Sequence, residues 1–187
     1  MAIRVYIDQG HNPVSPNTGA EGNGITEQEV TYEVGRLLYE RMSRDPNYAV
    51  RLSRPTPETQ LGTSNATSLQ ARVDGAIDFG ADLFLSIHTN ASLDSSASGS
   101  EALVYAVNST AGRIGESILR SMTALTGLRN RGVIARPGLY VLRKTPMPAV
   151  LVELGFISNP GDAALMRDDP GLFAEGIYRG LNAYYGF

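Results

Sequence analysis

The sequence predicts a single α/β domain, with about six strands in a mostly parallel, twisted sheet and helices on both faces. Strand-like and helix-like segments alternate along the chain, which is typical of a parallel sheet covered by helices. The 187 residues are enough for one domain with a full core, and neither a repeat nor a linker divides them. Three apolar, strand-like runs, at 3–7, 83–87 and 149–152, each lead into a histidine or a carboxylate.

The first half of the chain is expected to supply three strands and two helices. Residues 3–7 are apolar apart from Arg4, as in the centre of a sheet. A long polar loop follows at 8–24, and Thr26 with Glu29 matches a capping box at the start of the first helix. The other predicted elements are strands at 48–52 and 82–87 and a helix at 64–79 that buries Leu69, Val73, Ala76 and Ile77.

The second half is expected to supply three more strands, a long helix and two short helices. Apolar residues at helical spacing predict the long helix at 110–125. Three arginines fall in a segment at 127–138 that is rich in glycine, which predicts a basic loop. The remaining predictions are strands at 102–107, 139–142 and 149–152 and short helices near 162–166 and 172–185.

The composition excludes several classes of protein. The formal net charge is -3, so nucleic acid is not an expected partner. No apolar stretch approaches the roughly 20 residues of a membrane-spanning helix, so no membrane span is expected. The chain contains no cysteine, which excludes disulfides and thiolate metal sites. Any zinc site must therefore use histidine and carboxylate ligands.

The two histidines of the chain, His11 and His88, each stand at the end of a predicted strand among small residues. Strand carboxyl ends are where α/β sheets bind their ligands, so we expect the two imidazoles to share a site. Two imidazoles and one carboxylate form a common catalytic zinc set that leaves a position for water. For a histidine taken alone, a satisfied surface or core residue would be the favoured interpretation.

The third ligand must be a carboxylate, and two residues are candidates. Glu27 lies in the first turn of the first helix, where the preceding loop could return it to the strand ends. Glutamate is also favoured there by the helix dipole alone. Glu21, within the loop, is the alternative ligand, and the pattern leaves the choice between them open.

Glu153 is the remaining acid of interest because it directly follows the apolar strand at 149–152. A buried, unpaired carboxylate is costly and has a raised pKa, which suits a general base beside a metal-bound water. A buried ion pair with Arg143, Arg72 or Arg54 is the structural alternative. Both alternatives predict burial, so only proximity to a metal separates them.

With these residues in place, the sequence resembles the zinc-dependent N-acetylmuramoyl-L-alanine amidases, a family that cleaves peptidoglycan. The likeness runs nearly from end to end and includes Arg54, Arg72 and the segment Gly99-Ser100-Glu101. One departure is Asn12-Pro13, where the family usually has two glycines, so this loop is expected to follow its own path. The matching motifs are Asp8-Gln9-Gly10-His11, Glu27, Ser86-Ile87-His88-Thr89-Asn90-Ala91 and Glu153-Leu154-Gly155-Phe156-Ile157-Ser158-Asn159.

The resemblance implies that residues 1–187 form a zinc amidase catalytic domain with one Zn²⁺ held by His11, Glu27 and His88. It also implies that Glu153 is the catalytic acid and base, and that the substrate is the amide between the lactyl group of N-acetylmuramic acid and L-alanine. For substrate binding we expect Asn90, Arg143 and Leu142 to contribute. Arg129, Arg131 and Arg136 are further candidates for binding stem-peptide carboxylates, and the strand at 139–142 for presenting its backbone to an extended peptide.

Two other functions stay open at this stage: a different zinc peptidase on the same scaffold, and a wall-binding module without catalysis. The family's substrate places the activity outside the cytoplasm, at the cell wall, as in autolysins and lysins. The first residues form a strand rather than a signal peptide, so we expect a mature domain or a phage-type lysin. A wall-binding domain outside this chain is a further expected partner.

Overall fold

The computed structural model describes residues 2–187 and has an α/β architecture built on one six-stranded sheet. The strands are β1 (Ile3–Gln9), β2 (Glu21–Gly22), β3 (Ile25–Thr26), β4 (Tyr48–Leu52), β5 (Leu83–Asn90), β6 (Ser100–Val104), β7 (Asn130–Ala135) and β8 (Ala149–Phe156). The helices are α1 (Glu27–Met42), α2 (Asn65–Phe79), α3 (Thr110–Thr126), α4 (Tyr140–Lys144), α5 (Pro160–Asp168) and α6 (Pro170–Tyr185).

The strand order in the main sheet is β4-β1-β5-β8-β6-β7. Neighbouring strands are parallel except for β6 and β8, which are antiparallel, so the prediction of a mostly parallel sheet is confirmed. The strands β2 and β3 form a separate small hairpin at residues 21–26, which begins in the loop predicted at 8–24 and extends past its end. β1, β5 and β8 therefore lie side by side, and their carboxyl ends meet at one edge of the sheet.

Helices cover both faces of the sheet, as predicted. On one face Val34, Ile118 and Phe173, from α1, α3 and α6, pack in a large buried cluster with the strands. On the other face Val73 of α2 and Val141 of α4 belong to a smaller cluster. Of the helices in the described part of the chain, none is long and apolar enough to cross a membrane.

The starts of α1 and α2 differ from the prediction in their capping. Thr26 precedes α1, but its hydroxyl donates to the Glu29 carboxylate at 2.7 Å and caps no backbone amide, so the predicted capping box is wrong. A capping box does form at α2, where the Ser64 hydroxyl accepts from the Thr67 amide. On α2, Ile77 points outward with 46% of its surface exposed, contrary to the predicted buried face.

Two predicted elements between α3 and β8 are wrong. The segment predicted as a basic loop contains β7, which is held by parallel pairing with β6. The short apolar run at 139–142 is the beginning of α4 and not a strand. Short apolar runs are ambiguous between helix and strand, because four residues show no clear period. Here Val141 and Leu142 are buried against the sheet from a single helical turn.

Candidate metal centre

Three potential metal ligands converge at the shared edge of β1 and β5. His11 follows β1, His88 lies near the end of β5, and Glu27 is the first residue of α1. Their nearest ligand atoms all lie within 4.8 Å of one another. The Glu27 carboxylate bridges the two imidazoles, with Oε2 3.1 Å from His11 Nε2 and Oε1 3.1 Å from His88 Nδ1. The convergence expected from the sequence is therefore present.

The Glu27 carboxylate is fixed by backbone groups as well as by the histidines. The amide of Ala20 donates to Oε2 at 3.0 Å, and the amide of Thr89 donates to Oε1 at 2.9 Å. Burial acts to raise the pKa of Glu27, but the hydrogen bonds and charges of His11 and His88 outweigh it and hold the pKa far below its usual range. The alternative ligand Glu21 is exposed on β2 and is absent from this group.

Two glycines allow the backbone to approach the ligands closely. A Cβ atom on Gly10 would lie 2.5 Å from His88 Cε1, and a Cβ atom on Gly19 would lie 2.6 Å from the Glu27 Cβ. Such distances are essentially never seen for a real Cβ atom. Only glycine therefore fits at these two positions, where the backbone passes close to the ligands.

His11 has a left-handed backbone with φ of 67°, and two buried arginines bind its carbonyl oxygen. Arg72 donates from Nη2 to that oxygen at 2.6 Å and from Nη1 to Asp8 Oδ1 at 2.6 Å. Burial acts to raise the pKa of Asp8, but Arg72 and the Ser86 hydroxyl outweigh it and lower the pKa. This buried ion pair holds the unusual backbone that presents the His11 imidazole.

Arg54 joins the two segments that carry ligands. Its Nη1 donates to the Gln28 carbonyl oxygen at 3.0 Å and to that of His11 at 3.4 Å. Arg54 is 2% exposed, has no carboxylate partner among the described residues, and its pKa is lowered by burial to about 10. Asn12 supports the same loop, since its side chain binds the carbonyl of Pro16 and both backbone groups of Leu61.

Glu153 lies beside the ligands, in one row across the sheet. It pairs with His88 on β5 and with Glu101 on β6, so the three side chains project from the same face. Its Oε2 atom is buried without a hydrogen-bond partner, although the residue as a whole is partly exposed. Burial, with the negative charges of Glu27 and Glu101, raises the pKa of Glu153 to about 8. In the described part of the chain Glu153 forms no ion pair, so the alternative pairing with Arg54, Arg72 or Arg143 is wrong.

Residues 5–183 match the protein family described as N-acetylmuramoyl-L-alanine amidase. The chain belongs to this family. Among its curated relatives, the N-acetylmuramoyl-L-alanine amidase LytC of Bacillus subtilis is 35% identical over 97% of this chain. The endolysin of Bacillus phage SPP1 is 30% identical, again over 97% of the chain, which spans 67% of that protein. The chain spans only about a third of LytC.

Solved structures of amidases share the fold. The catalytic domain of CwlV from Bacillus (Paenibacillus) polymyxa var. colistinus matches with a TM-score of 0.86 and 29% identity over 98% of both chains. An N-acetylmuramoyl-L-alanine amidase from Clostridium difficile 630 matches with a TM-score of 0.87 and 26% identity, over 99% of this chain and 97% of that one. The amidase family is generally zinc-dependent, and His11, Glu27 and His88 are a group that could hold a metal.

The residues expected to bind the amidase substrate are dispersed around the sheet. Asn90 lies close to the metal group, and its Nδ2 donates to Glu101 Oε2 at 3.3 Å. Arg143 is exposed on α4 and lines a cavity beside Ala149, where β8 begins. The Leu142 side chain is 4% exposed and packs in the core, and because α4 is a helix, the predicted strand edge for an extended peptide does not exist.

The other arginines of the predicted basic loop also have separate environments. Arg131 pairs with Glu101, the neighbour of Glu153, and its guanidinium carbon lies 5.0 Å from the Phe156 ring centroid. Arg129 and Arg136 are exposed. Only Arg131 is thus connected to the row of residues that includes Glu153.

Sequence reasoning missed the roles of Asp8, Arg54 and Arg72 in supporting the ligands. The only signal was that all three lie in segments that resemble the amidase family. Arg54 and Arg72 bind mostly backbone carbonyls of other segments, and a side-chain pattern carries no trace of such partners. Asp8 accepts from the side chains of Arg72 and Ser86.

Proposed function

We propose that this chain is the catalytic domain of a peptidoglycan amidase that hydrolyses the bond between the lactyl group of N-acetylmuramic acid and L-alanine. His11, Glu27 and His88 hold one zinc ion, and Glu153 carries the proton. The observation that supports this most strongly is the position of a partnerless, buried carboxylate beside a three-ligand group in a member of the amidase family.

The donor set fits zinc. Two imidazole nitrogens and one carboxylate match catalytic zinc sites, which leave a position open. The buried Glu27 carboxylate is ionised, and its backbone hydrogen bonds hold it in place between the two imidazoles. When bound, zinc supplies a Lewis acid that polarises the amide carbonyl and lowers the pKa of a water molecule.

Glu153 accepts the proton of the attacking water and then delivers it to the leaving nitrogen of L-alanine. In the metal-free protein burial raises the pKa of Glu153 to about 8, and a bound cation would lower it, which suits a group that first accepts and then releases a proton. Its Oε2 atom, which has no protein partner, is free for this exchange. Asn90 and Arg131 stand on either side of Glu101 and are placed to contact a substrate that lies along this row.

The substrate places the activity at the cell wall, outside the cytoplasm. Relatives at this level of similarity include a phage endolysin and LytC, so autolysis and lysis are both compatible roles. A wall-binding domain that acts with this catalytic domain is part of the proposal, because the chain matches only 35% of LytC and 65% of the amidase CwlM of Bacillus licheniformis.

Digestion of purified peptidoglycan with the zinc-loaded protein tests the proposal. We expect new L-alanine amino termini, no new reducing ends, and loss of the reaction when a chelator removes the metal. New amino termini on other stem residues would indicate a different zinc peptidase. Sedimentation with peptidoglycan and no chelator-sensitive cleavage would indicate a wall-binding module.

A further inference from the structure

A small apolar cavity adjoins the candidate metal centre on the face of the sheet covered by α2 and α4. Its volume is about 140 Å³, and both imidazoles, His11 and His88, form part of its wall. We call this cavity the apolar slot. The rest of its apolar wall consists of Leu69, Leu139, Tyr140, Val141 and Leu151.

Three polar residues of the slot wall, Asp8, Arg72 and Asn17, already have protein partners, whereas His11 Nδ1 and Arg72 Nε are buried without one among the described residues. Asp8 and Arg72 bind each other, and the Asn17 amide donates to the Ser68 hydroxyl at 3.0 Å. A polar occupant would therefore gain few hydrogen bonds in exchange for those it loses to water, which disfavours its entry. With a volume of about 140 Å³ the slot is too small for a whole ligand, because sites for drug-sized ligands occupy roughly 300–1,000 Å³. Its size and its lining together favour one small apolar group.

The position of the slot relative to Glu153 indicates which part of the substrate enters it. Leu151 stands two residues before Glu153 on β8, and successive side chains alternate across a strand, so both project from the same face. Leu151 lines the slot and Glu153 does not, so the slot lies two residues along β8 from the carboxyl that is proposed to deliver a proton to the leaving nitrogen. The substituent attached to that nitrogen in the family's substrate is the α-carbon of L-alanine, with its methyl group.

We propose that the apolar slot binds the side chain of the first stem-peptide residue and selects alanine there by size. This inference rests on the proposed function, because it assumes that Glu153 faces the leaving nitrogen. Leu69 of α2 lines the slot and is only partly buried, so it can be exchanged without opening the core. The methyl group of the lactyl moiety, on the other side of the scissile bond, is the competing occupant.

The test compares zinc-loaded wild-type protein with Leu69→Phe and Leu69→Ala on soluble muramoyl peptides that carry glycine, alanine or 2-aminobutyrate at the first position. One methyl group in an apolar pocket changes kcat/KM by about 10–200-fold, so we expect wild type to prefer alanine to glycine by at least about tenfold. Leu69→Phe should reduce that ratio toward one, and Leu69→Ala should raise the relative rate on 2-aminobutyrate. Ile77→Ala, an exposed apolar change on the same helix, should leave both ratios unchanged.

A parallel comparison of lactyl with glycolyl substrates separates the two occupants. If the Leu69 variants change the lactyl-to-glycolyl ratio and leave the alanine-to-glycine ratio alone, the slot holds the lactyl methyl and the proposal is wrong. Equal alanine-to-glycine ratios in wild type and Leu69→Phe would overturn it as well. NMR titrations of the Glu153→Gln protein give the affinities for the alanine and glycine substrates, and the ratio of these affinities measures the preference without turnover. If the protein binds the alanine substrate more tightly than the glycine one but wild type hydrolyses neither, the proposed reaction is wrong and the proposed role of the slot is supported.

Discussion

Replacing Glu153 by glutamine should stabilise the metal-free protein at alkaline pH, although the same change removes the proposed proton carrier. In the folded protein the carboxyl is buried near Glu27 and Glu101, which raises its pKa to about 8. In the unfolded chain its pKa returns to about 4.5. Glutamine keeps the shape of the protonated side chain and cannot ionise, so it avoids the cost of a buried negative charge.

The size of the effect follows from the linkage between protonation and folding. Each unit by which a pKa differs between the folded and unfolded states corresponds to about 1.4 kcal/mol, so the upper limit here is on the order of 5 kcal/mol. Because the folded-state pKa is the higher one, the stabilising contribution of protonated Glu153 is complete below about pH 4.5 and is lost as the pH rises to about 8. The advantage of Glu153→Gln over wild type should therefore grow across this window.

Urea denaturation of both proteins at several values between pH 5 and pH 8.5, with chelator present, measures this difference. The metal must be absent, because a nearby cation would favour the ionised carboxylate and reverse the effect. Glu58→Gln, a change at an exposed glutamate, is the matched control and should show a difference that does not vary with pH. A Glu153→Gln difference that is constant with pH, or that favours wild type at pH 8, would refute the account of the Glu153 environment.

Three further predictions concern the metal centre. Glu153→Gln should lower the hydrolysis of peptidoglycan by about 10²–10⁴-fold while retaining bound zinc, whereas His88→Ala should lose both, as measured by turbidity clearing and metal analysis. Arg54→Met should weaken zinc binding by about 10–100-fold in a competition titration, because the segments that carry His11 and Glu27 lose their common clamp; unchanged affinity would mean that Arg54 only supports the fold. Gly19→Ala should weaken zinc binding at least tenfold, since a Cβ atom there would lie 2.8 Å from Glu27 Oε2, whereas Gly171→Ala, in open space, should match wild type.

The two histidines could be predicted to meet because their positions depend on a simple rule. Each follows an apolar strand, and neighbouring parallel strands end at the same edge of a sheet. β1 and β5 are such neighbours. Glu27 required more information, because the return of α1 to this edge depends on the path of the preceding loop. That path is fixed by contacts such as the Glu27 amide to the Ala20 carbonyl, which the pattern of residue types does not reveal.

The errors lie where tertiary contacts override a weak local pattern. β7 carries an arginine and a glycine with positive φ, and only its pairing with β6 makes it a strand. The run at 139–142 is too short to show a period, and its packing beneath α2 decides in favour of a helix. Because the run at 139–142 begins a helix, Leu142 offers no strand edge to an extended peptide, while Arg143 is exposed on α4 and its predicted role in substrate binding stays a prediction.

The proposed reaction requires that His11, Glu27 and His88 bind one zinc ion, with Glu153 beside it. Anomalous diffraction at the zinc absorption edge, from crystals grown with stoichiometric zinc, tests this most directly. We expect one peak at about 2.0–2.2 Å from a nitrogen of each imidazole and from a Glu27 carboxylate oxygen, with the Glu153 carboxyl facing the open side of the ion. A peak at another group of residues, or a Glu153 carboxyl turned away from the ion, would contradict it.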